Sequence, residues 1–307
     1  MNPLTALLTG LILILSGITV VLLIIGPKML LHPRKRTAEF YRKLGRPTSP
    51  AEAGLPYEEI NILAENGLKL NSWLIKAEQP VRGTLIYLHG VSDCKIDGLR
   101  FAALMQKNHF NVLLYDARAH GESDGIYCTY GYYEKFDCSR VIDYLRSRSD
   151  ISQQPIGLFG ISMGAAVALQ TAAIDDRVSA VIAENSFASL RTIFDDYQRR
   201  IIKLPFHYLR NLVIKRSEMM AKFKANDVSP LTAVAAIHSP ILFIFGMNDA
   251  LIKHTYSRKL YEAANEPKEL LPIESASHMD IWSVAGAMYE KKILSFFEQH
   301  LTKGTSA

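Results

Sequence analysis

Two kinds of apolar pattern run along this chain. The first is one unbroken run, "LTALLTGLILILSGITVVLLII", whose 22 residues from Leu4 to Ile25 carry no charge. As a helix it would extend roughly 33 Å, enough to cross a hydrocarbon layer of about 30 Å. No polar face interrupts it, so the pattern predicts a membrane span rather than a buried core helix. A cleaved signal peptide would have a basic start, a shorter apolar region and a small-residue cleavage site, and none of these is present. Residues 1–27 are therefore expected to form a retained anchor. The second pattern begins after a proline-rich stretch, "PTSPAEAGLP" (Pro47–Pro56). There "YEEINILAENGLKLNSWLIKA" alternates around Asn66-Gly67, which predicts a hairpin with a type I′ turn. The segments "TLIYLHG", "NVLLYD", "IGLFG", "AVIAE" and "ILFIFG" follow, apolar at consecutive positions and ended by turn formers. Consecutive apolar residues predict strands buried on both faces. Helical stretches over Gly98–Lys107, Tyr132–Arg148 and Met163–Ile174 lie between them. Strand and helix alternate, so the expected fold class is α/β, a mostly parallel sheet with helices on both faces.

Residues 187–228 break the rhythm. They exceed an ordinary helix-to-strand connection, carry apolar residues at helical spacing and contain Pro205. We expect an insertion of two or three helices. The organisation is then an anchor (1–27), a basic juxtamembrane segment and linker (28–56), and a domain (57–307) bearing the insertion.

Charge adds an orientation. The formal net charge of +5 is concentrated in two places: seven Lys/Arg against one Glu in 28–46, and nine Lys/Arg against four acids in 187–227. Two local basic segments on a mildly acidic body do not make a nucleic-acid binder. The first segment follows the apolar run directly, so the positive-inside rule predicts a single-pass protein with its domain in the cytoplasm. Cys94, Cys128 and Cys138 are odd in number and lack a C-x-x-C spacing, which argues against a disulfide framework or zinc site. A Cys128–Cys138 bridge remains an alternative for an oxidising compartment.

The candidate chemistry starts at "GISMG" (Gly160–Gly164). A G-x-S-x-G pattern is cheap alone, but here a strand enters it and an alanine-rich helix leaves it. In that context the turn lifts the Ser162 side chain clear of the sheet, and two glycines remove side chains that would collide. A serine hydroxyl needs a base, and the base needs an orienting carboxylate. The expected chain order is serine, acid, histidine. Asp249 lies on the turn after "ILFIFG", and His278 lies in a small-residue loop after a further short strand, "ELLPI". The amides of Met163 and Val91 are the candidate oxyanion donors. Each residue has a plainer alternative: Ser162 and Asp249 as turn formers, His278 as a surface histidine. Asp280 is a rival acid better suited to capping a helix. His89 is expected to be a structural loop histidine.

These motifs, together with "LHGVSD", "YDARAHGESDG", "GMNDALI" and "SHMD", resemble the α/β-hydrolase superfamily over roughly residues 57–300. The similarity extends to its single-span, membrane-anchored bacterial serine hydrolases, near the BEM46-like and serine aminopeptidase-like groups. The resemblance implies a structural role for the loop after the fourth strand, with Asp116 and Arg118 bracing the site. Ala119 stands there in place of a glycine. The function expected is hydrolysis of carboxylic esters by Ser162, His278 and Asp249 through an acyl-enzyme, with no metal or organic cofactor. The insertion at 187–228 is the expected lid. Its aromatics (Phe187, Phe194, Tyr197, Phe206, Tyr208, Phe223) and basic residues would suit a small-molecule or lipid-like ester, with the membrane as the other partner. Two alternatives stay open: a peptidase or amidase on the same residues, for which Glu184 would hold an α-amino group, and a non-catalytic membrane-tethered binding module.

Overall fold

The computed structural model describes residues 2–201 and 207–301. The apolar run forms helix α1 (Pro3–Leu31), and a short α2 (Ala38–Lys43) follows. The body contains β1 (Tyr57–Leu63), β2 (Lys69–Ile75), β3 (Gly83–Leu88), α3 (Leu99–Lys107), β4 (Phe110–Tyr115), α4 (Glu134–Ser147), β5 (Ile156–Ile161), α5 (Met163–Ala172) and β6 (Val178–Glu184). After β6 come α6 (Leu190–Ile201), α7 (His207–Ala221), the single turn α8 (Pro230–Ala233), β7 (Ile241–Gly246), α9 (His254–Ala263), β8 (Lys268–Ile273) and α10 (Ile281–Leu301).

One eight-stranded sheet has the order β1-β2-β4-β3-β5-β6-β7-β8. The β1–β2 and β2–β4 pairs are antiparallel and all pairs from β4 to β8 are parallel. The consecutive apolar pattern of β3, β4 and β7 corresponds to strands buried at every position. Alternate residues enter opposite layers, as the pleat requires. Ile86 and Leu88 pack with Val141 of α4, Leu169 of α5 and Leu260 of α9. Leu85 and Tyr87 pack with Phe101 of α3 and Phe296 of α10. Phe159 and Phe243 are fully buried, and truncating either to alanine would cost about 3–5 kcal/mol.

Sheet order decides where the site can form. The chain winds outward from β3 in both directions, to β4 on one side and β5 on the other. Such a reversal opens a crevice at the carboxyl ends of the two central strands. Leu88 of β3 pairs with Gly160 of β5, so the loops after both strands emerge side by side.

The structure differs from expectation at three places. The hairpin turn is not type I′, because Gly67 alone has positive φ (+77°) and Asn66 does not. Gly67 N–H donates to Ala64 O at 3.0 Å and Ala64 N–H to Leu68 O at 2.9 Å. This five-residue connection needs only one left-handed residue, as a type I turn followed by a glycine bulge. The apolar helix extends beyond residue 27 to Leu31, whose side chain is buried. Residues 28–56, expected as juxtamembrane segment and linker, are in part packed on the body: Tyr41 and Leu55 join the core on the α3/α10 side. The three cysteines are buried free thiols.

Within the insertion, Phe187, Phe194 and Phe223 are buried with Ile214 of α7 and Leu31 of α1, so they form the insertion's own core. Tyr208 is exposed. Pro205, Phe206 and the Arg200 side chain lie outside the described residues. Helix α7 runs against α1 with backbones in close approach: a Cβ on Gly26 would sit 2.7 Å from a methyl of Val213.

Candidate active site

Ser162 occupies the sharp turn between β5 and α5, with φ +55° and ψ −113°. A side chain held there stores about 1–3 kcal/mol of strain. Neighbours hold it in place. Ser162 N–H donates to Glu184 O on β6 at 2.8 Å, and Ala166 N–H returns to Ser162 O at 3.2 Å. The flanking glycines are steric necessities. A Cβ on Gly164 would lie 2.0 Å from Leu88 O, and one on Gly160 would lie 2.3 Å from Gly164 O.

The other two predicted side chains converge on this serine. His278 Nε2 is 3.0 Å from Ser162 Oγ, and His278 Nδ1 is 2.7 Å from Asp249 Oδ2. Asp249 follows β7, and its second oxygen accepts from Leu251 N–H at 2.7 Å and Ile252 N–H at 2.8 Å. It is therefore both turn former and imidazole partner. A carboxylate at Nδ1 takes the Nδ1–H, which leaves Nε2 to accept from the hydroxyl. The rival acid, Asp280, accepts from Ser277 N–H at 2.6 Å at the entrance of α10 and shapes the histidine loop.

Met163 is the first residue of α5, where amides have no carbonyl four residues back within the helix. Val91 lies on the loop after β3. The neighbouring Gly90 comes close enough that a Cβ on it would be 3.6 Å from Ser162 Cβ. His89 pins this loop: its Nε2 accepts from Ala117 N–H at 3.0 Å and its Nδ1 lies 2.8 Å from Gly90 O. An acceptor at Nε2 requires the Nδ1–H tautomer, and burial pushes the ring's pKa below its ordinary value despite Asp116 nearby. This histidine is structural.

Some of the framework has no sequence signature. Asn185, buried and at φ +50°, bridges two parts of the site. Its Oδ1 accepts from Gly246 N–H at 3.1 Å, and its Nδ2 donates to His278 O at 3.2 Å. The segment after α1 straps the Val91 loop. Arg36 N–H donates to Ser92 O at 3.0 Å, Arg36 Nη1 meets Asp93 Oδ2 at 2.5 Å, and Tyr41 OH donates to Asp93 Oδ1. Burial, reinforced by Asp97 and opposed by Arg36, pushes the Asp93 carboxyl up to about 7.

The loop after β4 braces the site from behind. Asp116 accepts from Lys95 N–H at 2.7 Å, Lys95 Nζ at 2.8 Å and Glu122 N–H at 2.8 Å. Arg118 makes a bidentate pair with Asp137, both contacts at 2.6 Å. Ala119 adopts φ +60°. Glu184 is buried and accepts from Tyr289 OH at 2.5 Å. Burial, against the hydrogen bond from Tyr289, pushes its carboxyl up to about 7. Among the described residues no group of three His, Cys, Asp or Glu side chains could hold a metal ion.

This architecture has known counterparts. The model of the alpha/beta hydrolase fold matches residues 83–218. An alpha/beta hydrolase domain-containing protein of Arabidopsis thaliana, WAV2, is 30% identical over 262 residues, covering 83% of this chain and 82% of that protein. An uncharacterized membrane protein of Saccharomyces cerevisiae is 27% identical, covering 76% of this chain and 77% of its own. An esterase of Pyrococcus furiosus superposes with a TM-score of 0.71 at 24% identity, covering 89% of this chain and 98% of that one. At that identity the superposition speaks for the fold alone. By its sheet order, its strained serine turn and the extent of the match to the plant protein, the chain belongs to the α/β-hydrolase superfamily.

Proposed function

We infer that the chain is a serine hydrolase that cleaves carboxylic esters by acyl transfer. The carrying observation is the continuous contact from Asp249 through His278 to Ser162, at 2.7 and 3.0 Å. As Ser162 Oγ attacks an ester carbonyl, His278 Nε2 takes its proton, and Asp249 holds the ring and stabilises the imidazolium. The carbonyl oxygen becomes an anion facing the amides of Met163 and Val91; losing one such donor typically costs about 3–4 kcal/mol of transition-state stabilisation. His278 then gives the proton to the leaving alcohol. Water, deprotonated by the same imidazole, hydrolyses the acyl-serine. The strained φ at Ser162 favours catalysis over mere binding, since a tethering module gains nothing from it.

Ester substrates are favoured over aminoacyl ones by the state of Glu184. That carboxyl is buried against Tyr289, which leaves no acid there to hold an α-amino group. The apolar α1 is long enough to cross a membrane, and the basic flank places the body on the cytoplasmic side in this reading.

Fluorophosphonate labelling of the purified full chain tests the reading. Wild type is expected to label and Ser162→Ala is not. Turnover of p-nitrophenyl acyl esters should fall on the order of 10⁴-fold or more in that variant. Faster cleavage of aminoacyl anilides than of esters would replace the esterase reading with a peptidase one.

A further inference from the structure

A cavity of about 760 Å³ opens at the foot of α1. One wall is the last turns of α1 and the chain just beyond, with Ile25, Met29, Lys28 and Arg34; the facing wall includes Val91 and Ser92. This is ordinary size for a small-ligand site. Val91 and Ser92 on its wall directly follow Gly90, where an added Cβ would lie 3.6 Å from Ser162 Cβ.

Three observations define what would fit. The first is charge. Among the described residues neither Lys28 nor Arg34 lies within ion-pair distance of a carboxylate, whereas Arg36 and Arg46 are paired to Asp93 and Asp97. No acid lines the cavity, and His32 adds an imidazole. The carboxyl end of α1 opposes an anion with roughly half a negative charge. Two of its final carbonyls are already bonded, Leu30 O to Tyr130 OH at 2.7 Å and Leu31 O to Cys128 N–H at 2.9 Å. Two unpaired cations outweigh that residual dipole. The second observation is depth. Lys28 lies three residues past the apolar run, about 4.5 Å along the helix axis, which with α1 taken as a membrane span is where headgroups begin. The acyl ester bonds of a bilayer lipid sit at that same boundary. The third is rigidity. The carbonyl bonds at Leu30 and Leu31, with the packing of α7 along Gly26, fix the helix foot to the body, so the cavity mouth keeps a set height relative to α1.

We propose that this cavity receives the anionic headgroup of a membrane-borne acyl ester, Lys28 and Arg34 holding the head while the ester reaches Ser162 beneath Val91. The proposal deepens the esterase reading and rests on it for the chemistry, not for the binding. The substrate class is an acyl lipid with a phosphate-type head that enters sideways from the bilayer.

The test uses the full chain in nanodiscs of phosphatidylcholine, with Ser162→Ala as background so that binding is read without turnover. Diazirine-bearing phosphatidate or phosphatidylcholine is added as photoprobe, and labelled peptides are mapped. Phosphatidate is expected to label the segments around Met29 and Tyr130 about tenfold more than phosphatidylcholine, a preference worth 1.4 kcal/mol. Lys28→Gln with Arg34→Gln should abolish that preference, and Lys35→Gln with Arg42→Gln, the same charge loss off the cavity, should keep it. Equal labelling by both probes, or equal loss in both double variants, overturns the proposal. Selective labelling with no ester cleaved by wild type would support the headgroup site and remove the esterase reading alone.

Discussion

The side chain of Asn185 is the most informative place to perturb the site without touching a reacting atom. It holds Gly246 N–H at 3.1 Å and His278 O at 3.2 Å, and so ties the end of β7, just before Asp249, to the backbone of the histidine. Asn185→Ala leaves Gly246 N–H without its partner in a buried place and His278 O without its partner in a partly buried one, at about 1–3 kcal/mol each. Alanine at φ +50° adds about 1 kcal/mol that asparagine largely escapes. The expected loss of folding stability is about 3–7 kcal/mol. The His278 loop is then free to move, and a displacement of about 1 Å is worth roughly 10²-fold in rate. The assay is kcat and KM for a p-nitrophenyl ester at a temperature where circular dichroism shows the variant folded. We expect kcat to fall about 100-fold and KM to change less than about threefold. Asn185→Gly separates the causes, since glycine accepts the backbone angle and loses only the hydrogen bonds. It should recover part of the stability and none of the rate. A folded Asn185→Ala with kcat within threefold of wild type would refute the bridge as a positioning device.

Three further outcomes are expected. Gly164→Ala puts a Cβ 2.0 Å from Leu88 O, backbone against backbone, so the chain should fail to fold or lose turnover entirely; an active, stable variant contradicts the steric reading. Glu184 has its carboxyl raised from the ordinary 4.5 to about 7. Its contribution to stability is full below about pH 4.5 and is lost as pH rises through 7, a swing of about 3 kcal/mol. Glu184→Gln in detergent should lack that decline in denaturant titrations between pH 4.5 and 8, and parallel wild-type and variant curves would exclude it. Ala119→Gly relieves a side chain at φ +60° and should raise stability by about 0.5–1 kcal/mol, seen as a melting temperature a few degrees higher; a lower one counts against strain at that turn.

Much of this protein is written locally. Strands such as Ile241–Gly246 are apolar at consecutive positions because both faces are buried, so their pattern is visible without knowing what covers them. The glycines around Ser162 are legible because the clash they avoid involves backbone only a few residues away on β5 and α5, or on the adjoining strand end. Asp249 and His278 are found by chain order and by their places after strands. The hairpin turn type is not legible from Asn-Gly, because that pair serves two turn types and only the length of the connection separates them. What tertiary structure alone decided is everything between elements remote in sequence. Asn185 and His278 are 93 residues apart, and Arg36 and Asp93 are 57 apart. Nothing in either member of a pair marks its partner, because such contacts arise only once strand order has set which loops share an edge. The union of α1 with the insertion and the cavity at its foot have the same origin. A uniformly apolar helix carries no periodicity to reveal which face will dock, so its orientation is settled by the surfaces it meets.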